Sequence, residues 1–248
     1  MKVVALYSIK GGVGKTAAAV NIAYLAAADR RRTLLCDLDP QAAASFYLRV
    51  RPGKESGAKR LIQGGRDLDR QIRESDYPDL HVLPAKLSFR NLDLKLDERK
   101  RSRNRLSETL SGFSKEYDLV VIDSPPNITL LSENIMVASD LLLCPVIPTT
   151  LSLRTWDQLQ RFLDKENLAR NEPRAFFSMA ERRKKIHAEI IRETVASDSR
   201  FLSTQIPMAA AVERMGPKRA PLHAFDQRSP AARAFKELWA EIRDKLLI

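Results

Sequence analysis

Lys10-Gly11-Gly12-Val13-Gly14-Lys15-Thr16 stands directly after an apolar run, residues 3–7, and directly before an alanine-rich stretch, residues 17–28. That order decides the fold. The apolar run is stopped by Ser8 and the glycines and predicts a buried strand. Val20, Ile22, Tyr24 and Leu25 among small residues predict a packed helix over 17–28. Between them, glycines let the backbone curl so that successive N–H groups point inward at phosphate oxygens. The following helix adds the partial positive charge of its N-terminus. In such a loop Lys15 reaches the β- and γ-phosphates and the Thr16 hydroxyl ligates Mg²⁺. A plain glycine-rich turn between strand and helix is the alternative, but it gives no reason for Lys-Thr to follow the glycines.

Working outward, the apolar runs recur. Residues 33–36 predict a second strand that ends at Asp37-Leu38-Asp39-Pro40, and residues 80–83 a third, ended by Pro84. Residues 119–122 predict a strand followed by Asp123-Ser124-Pro125-Pro126-Asn127. Residues 140–148 predict another, 175–179 a weaker one, and 201–206 a short extended piece running into Pro207. Arg30-Arg31-Arg32 is expected to close the first helix at the favourable end of its dipole. Residues 49–76, with Pro52, Gly53, Gly57, Gly64 and Gly65, predict a surface excursion with helical pieces. The highly charged stretch 86–116, with Leu92, Leu94, Leu96, Leu106 and Leu110 between its charges, predicts one or two exposed helices. Phe235, Leu238, Trp239, Ile242 and Leu246 lie at helical spacing in a last helix over 230–247. Strands alternating with helices imply an α/β fold: three layers, with a mostly parallel twisted sheet and helices on both faces. No composition break divides the chain, so residues 1–248 are expected to form a single domain.

Composition sets the wider bounds. The chain has 248 residues, 44% of them hydrophobic, enough for one sizeable core. Its formal net charge of +11 favours polyanionic partners such as nucleic acid or anionic lipid, or else marks a merely basic soluble protein. Two cysteines, Cys36 and Cys144, sit at the ends of apolar runs and read as small buried hydrophobes in a reducing compartment. Three scattered histidines give no metal-ligand spacing. The N-terminus leads straight into the glycine loop and does not read as a signal peptide. No apolar stretch approaches the ~20 residues that span a bilayer. A cytoplasmic protein is expected.

The lysine at the head of the loop extends the pattern. K-G-G-V-G-K-T resembles the deviant Walker A loop of the ParA/MinD ATPases. The likeness continues through Asp37-Leu38-Asp39-Pro40-Gln41, the stretch from Tyr117 to Pro126, and Phe225-Asp226-Gln227-Arg228-Ser229-Pro230-Ala231-Ala232-Arg233, across nearly the whole chain. The resemblance implies a P-loop NTPase of the SIMIBI type that hydrolyses ATP slowly, with Mg²⁺. It implies a homodimer that sandwiches two nucleotides, with Lys10 reaching the partner's phosphates. Lys10, Lys15 and Asp39 are then the catalytic residues, Asp39 positioning the attacking water. Asp37 and Asp123 hold Mg²⁺ through water and Thr16 holds it directly. Singly, each aspartate also reads as a strand-end or helix cap. Residues Lys10 to Ala17 bind the phosphates, although many relatives have a hydroxyl residue where this chain has Ala17, which removes a contact to the α-phosphate. Adenine is expected against Ser178-Met179 and Pro207-Met208. Pro125-Pro126 would stiffen a segment that senses the γ-phosphate.

Relatives divide by the polyanion they bind. ParA-like members bind DNA non-specifically as ATP dimers, whereas MinD-like members bind membrane through a C-terminal amphipathic helix. Arg182-Arg183-Lys184-Lys185 is a dense basic cluster suited to phosphate contacts without base reading; a solvated helix face is the plainer alternative. Relatives often carry arginines just after the Ile-Pro dipeptide, where this chain has Met208 and Ala211, so Arg214, Lys218 and Arg219 are the substitutes. The C-terminal stripe reads more readily as a core-packing helix than as a membrane anchor. The expectation is therefore a nucleoid-associated ParA-type ATPase, Soj-like or McdA-like. Its cargo is a plasmid, a chromosome origin or a protein organelle such as the carboxysome. A cargo-linked adaptor of ParB or McdB type stimulates hydrolysis. No DNA-reading segment precedes the loop, which tilts the reading toward cargo other than a plasmid. The alternative is a MinD-like membrane-associated spatial regulator.

Overall fold

The fold is that of a computed structural model, which describes the chain outside residues 54–56, 58–60, 62–64, 98–101, 169–171 and 247–248, and outside the side chains of 66, 67, 91, 102, 245 and 246. Gly64 and the Leu246 side chain thus lie outside the described residues. The strands are β1 (Lys2–Leu6), β2 (Thr33–Asp37), β3 (Arg73–Glu74), β4 (Leu80–Leu83), β5 (Leu119–Asp123), β6 (Leu141–Val146), β7 (Arg174–Ala180) and β8 (Phe201–Pro207). They form one sheet in the order β3-β4-β2-β5-β1-β6-β7-β8. Every neighbouring pair is parallel except β3 with β4. β2, β5 and β6 are buried along their whole length, which is why they read as unbroken apolar runs rather than as alternating ones.

Helices cover both faces. They are α1 (Lys15–Ala28), α2 (Ala43–Tyr47), α3 (Arg66–Asp69), α4 (Leu92–Asp97), α5 (Arg105–Ser111), α6 (Leu130–Ala138), α7 (Thr150–Glu166), α8 (Lys185–Ser197), α9 (Ala210–Glu213), α10 (Met215–Lys218), α11 (Leu222–Phe225) and α12 (Pro230–Leu246). One apolar layer joins Ala19, Ile22 and Ala26 of α1 to Phe235, Leu238 and Ile242 of α12. The other joins Leu92, Leu96, Leu106, Leu110, Ile135 and Trp156 beneath the opposite face. Full burial of side chains of this size is worth about 1.5–3 kcal/mol each. The apolar stripe of α12 is therefore occupied within the core. No helix among the described residues is long and apolar enough to cross a membrane. Cys36 and Cys144 are buried and unpaired with each other, as expected of small core residues.

Three expectations need correction. The charged stretch 86–116 does not form exposed helices. It folds as α4 and α5, with 3₁₀ turns at Leu87–Asn91 and Ser102–Asn104, and buries Leu92, Leu96, Leu106 and Leu110 while Leu94 stays 68% exposed. Not every charge lies on the outer side, since the Asp93 carboxylate accepts from the Leu131 N–H of α6 at 2.7 Å. Residues 201–206 are extended as expected, within the seven-residue edge strand β8. Arg30-Arg31-Arg32 does not close α1, which ends at Ala28 with Asp29 as its cap. Arg30 turns the chain at φ +61, and Arg32 pairs with Asp118. The excursion at 49–76 is not wholly on the surface, since Leu61 and Leu68 enter the core.

The edge at β8 carries one further device. Its ladder with β7 is interrupted by register shifts. There the N–H and hydroxyl of Ser203 and of Thr204 all donate to the Glu241 carboxylate of α12, at 2.7–3.1 Å.

Candidate functional site

The phosphate loop lies between β1 and α1 at the carboxyl ends of the parallel strands, where ligands of open α/β sheets sit. Gly12 and Gly14 adopt φ +71 and +92, a region that side-chain-bearing residues rarely enter. A Cβ on Gly14 would also stand 2.9 Å from the Ser178 hydroxyl oxygen. Glycine is needed there twice over. Lys15 is buried, and its Nζ donates to the Lys10 carbonyl at 3.3 Å. Burial holds its ammonium below the ordinary lysine range, against the pull of Asp123 and Asp39. The Lys10 side chain is exposed.

Below the loop, Asp37 and Asp123 end adjacent strands in direct register. Both are fully buried. Asp37 Oδ2 accepts from the Ser45 N–H at 2.8 Å and the Ser45 hydroxyl at 2.7 Å. Asp37 Oδ1 and both Asp123 oxygens have no hydrogen-bond partner in the protein. Burial pushes Asp37 up to about 6, against the two bonds from Ser45. Burial, and then the neighbouring Asp37 charge, push Asp123 well above the usual carboxylate range, opposed by the nearby Thr16 hydroxyl and Lys15. A buried carboxylate pair with orphaned oxygens fits a hydrated divalent cation: Mg²⁺ retains several waters that would donate to those oxygens. Asp39, two residues past Asp37, lines the cleft, its Oδ1 accepting from the Gln41 N–H at 2.9 Å.

The cleft beside the loop encloses about 380 Å³, a volume suited to a small-molecule ligand. The ends of β7 and β8 bring Ser178, Met179, Pro207 and Met208 together on its far side. The Met208 N–H donates to the Ala180 carbonyl at 3.1 Å and holds those two ends side by side. Ala43, Tyr47, Val212 and Glu213 also line the cleft; the sequence reading missed all four, and no motif spacing marks them. Pro126 closes one side. The Tyr7 hydroxyl ties that segment back to β1 by donating to the Asn127 carbonyl at 3.1 Å.

The basic candidates fall in two places. Arg182, Arg183, Lys184 and Lys185 are exposed at the turn into α8, with Lys184 paired to Glu181. Arg182 also lines a polar groove with Gln205 and Arg233. Arg214 pairs with Asp226 at 2.6 Å, and Lys218 is exposed at the end of α10. The Arg219 guanidinium lies 4.6 Å over the Phe46 ring, which engages its charge on the protein.

Residues 1–176 match the AAA_31 family, an AAA domain. Virulence plasmid ParA family protein pGP5-D of Chlamydia psittaci is 28% identical over 252 residues, covering 99% of this chain and 96% of that protein. Sporulation initiation inhibitor protein Soj of Bacillus subtilis is 26% identical over 250 residues, covering 97% and 98%. Among solved structures, a McdA–ATP complex from Cyanothece superposes with a TM-score of 0.85 at 19% identity, covering 100% of this chain and 98% of that one.

Proposed function

The chain belongs to the AAA_31 family and with it to the ParA/MinD group of P-loop ATPases, and from that membership we propose a spatial-positioning ATPase that binds DNA when loaded with ATP. The observation that carries the nucleotide chemistry is the buried Asp37–Asp123 pair, with its orphaned oxygens, beneath a loop whose Gly14 has no room for a side chain. In this reading residues 1–248 act as one domain. The amides of Gly11 to Ala17 and the Lys15 ammonium bind the phosphates of ATP, and the base lies against Ser178, Met179, Pro207 and Met208. Thr16 ligates Mg²⁺ directly, and Asp37 and Asp123 hold its waters. The ion neutralises charge on the phosphates. Asp39 orients the attacking water at the cleft mouth. Lys10, exposed at the head of the loop, reaches the phosphates of a second copy in an ATP-bound homodimer, adding positive charge where negative charge develops.

The partner reading rests on charge. A net charge of +11 and the exposed Arg182–Lys185 turn favour non-specific contact with DNA phosphates, with Lys218 adjacent to a second basic segment. Packing of the α12 stripe into the core argues against its use as a membrane anchor. A cargo-linked adaptor of ParB or McdB type would stimulate hydrolysis and release the dimer from the nucleoid, and the cargo is a replicon or a protein organelle.

The test is binding to non-specific duplex DNA with ATP, with ADP and without nucleotide, at two salt concentrations, in wild type, Lys10→Ala and Lys15→Gln. Binding that needs ATP, weakens with salt and is absent in both variants is the expected result. An ATP-closed dimer that ignores DNA sinks this reading, and liposome pelleting then tests the MinD-like one.

A further inference from the structure

The two walls of the nucleotide cleft come from distant parts of the chain. One is the stretch from Asp39 into α2, which supplies Ala43 and Tyr47. The other is α9, which supplies Val212 and Glu213. Immediately behind α9 follow α10 and Arg219, which carry the candidate polyanion residues.

The backs of these walls are fastened to each other. Phe46, next to Tyr47, is 49% exposed, yet the Arg219 guanidinium stacks over its ring at 4.6 Å. Arg219 Nε also donates to the Phe46 carbonyl at 3.2 Å. The fastening is mutual. Arg49, just past α2 and at φ +59, donates from Nε to the Arg219 carbonyl at 3.0 Å and from a terminal nitrogen to the Lys218 carbonyl at 3.1 Å. Those are the last carbonyls of the α10 turn, which a guanidinium satisfies with charge-assisted bonds. On its inner side the same segment is tied to α1. The buried Asn21 side chain accepts from the Leu222 N–H at 2.9 Å, and its amide lies 3.3 Å from the Met215 sulfur. The basic segment is thus held between the helix that leaves the phosphate loop and the helix that follows Asp39.

We propose that Phe46, Arg49 and Arg219 form a clasp that sets the separation of the two cleft walls and carries movement of the Asp39 wall to the basic segment 214–219. For its polyanion arm this rests on the DNA reading above. Ring-to-guanidinium stacking and the arginine–carbonyl bonds are directional, so α10 travels with α2 rather than sliding across it. A nucleotide that draws the walls together moves both halves of the clasp. By reciprocity, a polyanion that seats on the basic segment acts back on the nucleotide through the same link. Arg219 is on this account a positioning residue, not a phosphate contact.

The test uses the full chain with Phe46→Ala and Arg49→Ala made separately, and Phe46→Leu as a milder replacement should the alanine variant unfold. The first arm contains no DNA. It measures affinity for a fluorescent ATP analogue with Mg²⁺, and hydrogen exchange of the peptide covering 214–222 with and without nucleotide. Roughly three- to tenfold weaker binding is expected, together with loss of the nucleotide-dependent exchange change and a melting temperature close to wild type. Wild-type affinity in the variants, or a wild-type peptide that ignores nucleotide, overturns the clasp. The second arm measures duplex DNA binding with ATP and with ADP, and the clasp requires the ratio of the two affinities to fall toward one in the variants. If wild type binds no DNA in either state, the DNA reading fails while the first arm still decides the clasp.

Discussion

Two fully buried carboxylates in direct register cost free energy in the nucleotide-free protein. Asp37 is raised to about 6 from an ordinary value of 3.8. Between those values the folded chain binds more protons than the unfolded one, so stability falls as pH rises through that window and stays reduced above it. The Asp37 contribution is on the order of 3 kcal/mol. Calorimetric scans without nucleotide should therefore show the melting temperature of Asp37→Asn rising relative to wild type as pH goes from 4 to 6. At pH 7.5, Asp123→Asn should raise the melting temperature by several degrees while abolishing Mg²⁺-dependent nucleotide binding; a lower melting temperature in that variant would contradict the account. Gly14→Ala should weaken nucleotide binding at least about tenfold, since the strain of a left-handed backbone adds to the contact with Ser178. Adding Ser178→Ala should restore only part of the loss, measured by titration with a fluorescent ATP analogue, because it relieves the contact and not the strain. The loop and the aspartates were legible in the sequence because turn chemistry is local and both carboxylates end apolar runs. Tyr47 and Glu213 were not, because they come from distant parts of the chain and share the cleft only once it has folded.

At the scale of elements, α4 and α5 show where charge misleads. Leu110 on α5 is 1% exposed, so Leu110→Ala should cost about 2–5 kcal/mol. Urea unfolding would read this as a lower midpoint at unchanged slope. A solvent-exposed helix would instead lose within about 0.5 kcal/mol. The charged residues around the leucines hid a period-3.6 apolar stripe, and neither of these two helices is longer than seven residues. β2, β5 and β6 were read more accurately because they are buried along their whole length and carry no charge before their last residue, whereas the two-residue β3, Arg73–Glu74, was not read as a strand at all. α7 carries Trp156, Leu159 and Leu163 at helical spacing, yet the sequence reading assigned nothing to that stretch. Its apolar stripe is narrow and its mean composition polar, so packing against β6 and Phe201 rather than composition settles it.

For the whole molecule, the net charge of +11 makes any association with DNA a matter of counterion release. Replacing Arg182 and Arg183 with alanine should lower the log–log salt slope by about 2 and weaken binding evenly across sequences. A change confined to one sequence would instead mean base contact. The sheet also ends in two edges, and they are managed differently. β3 is two residues long and offers little to pair with. β8 is seven residues long, and the Glu241 carboxylate occupies the backbone donors of Ser203 and Thr204 where its ladder slips. Gathering on DNA, as proposed above, would bring many copies of this strand close together. The carboxylate then acts as a guard against templating between neighbours, and its removal would show as turbid, concentration-dependent precipitates in stored samples.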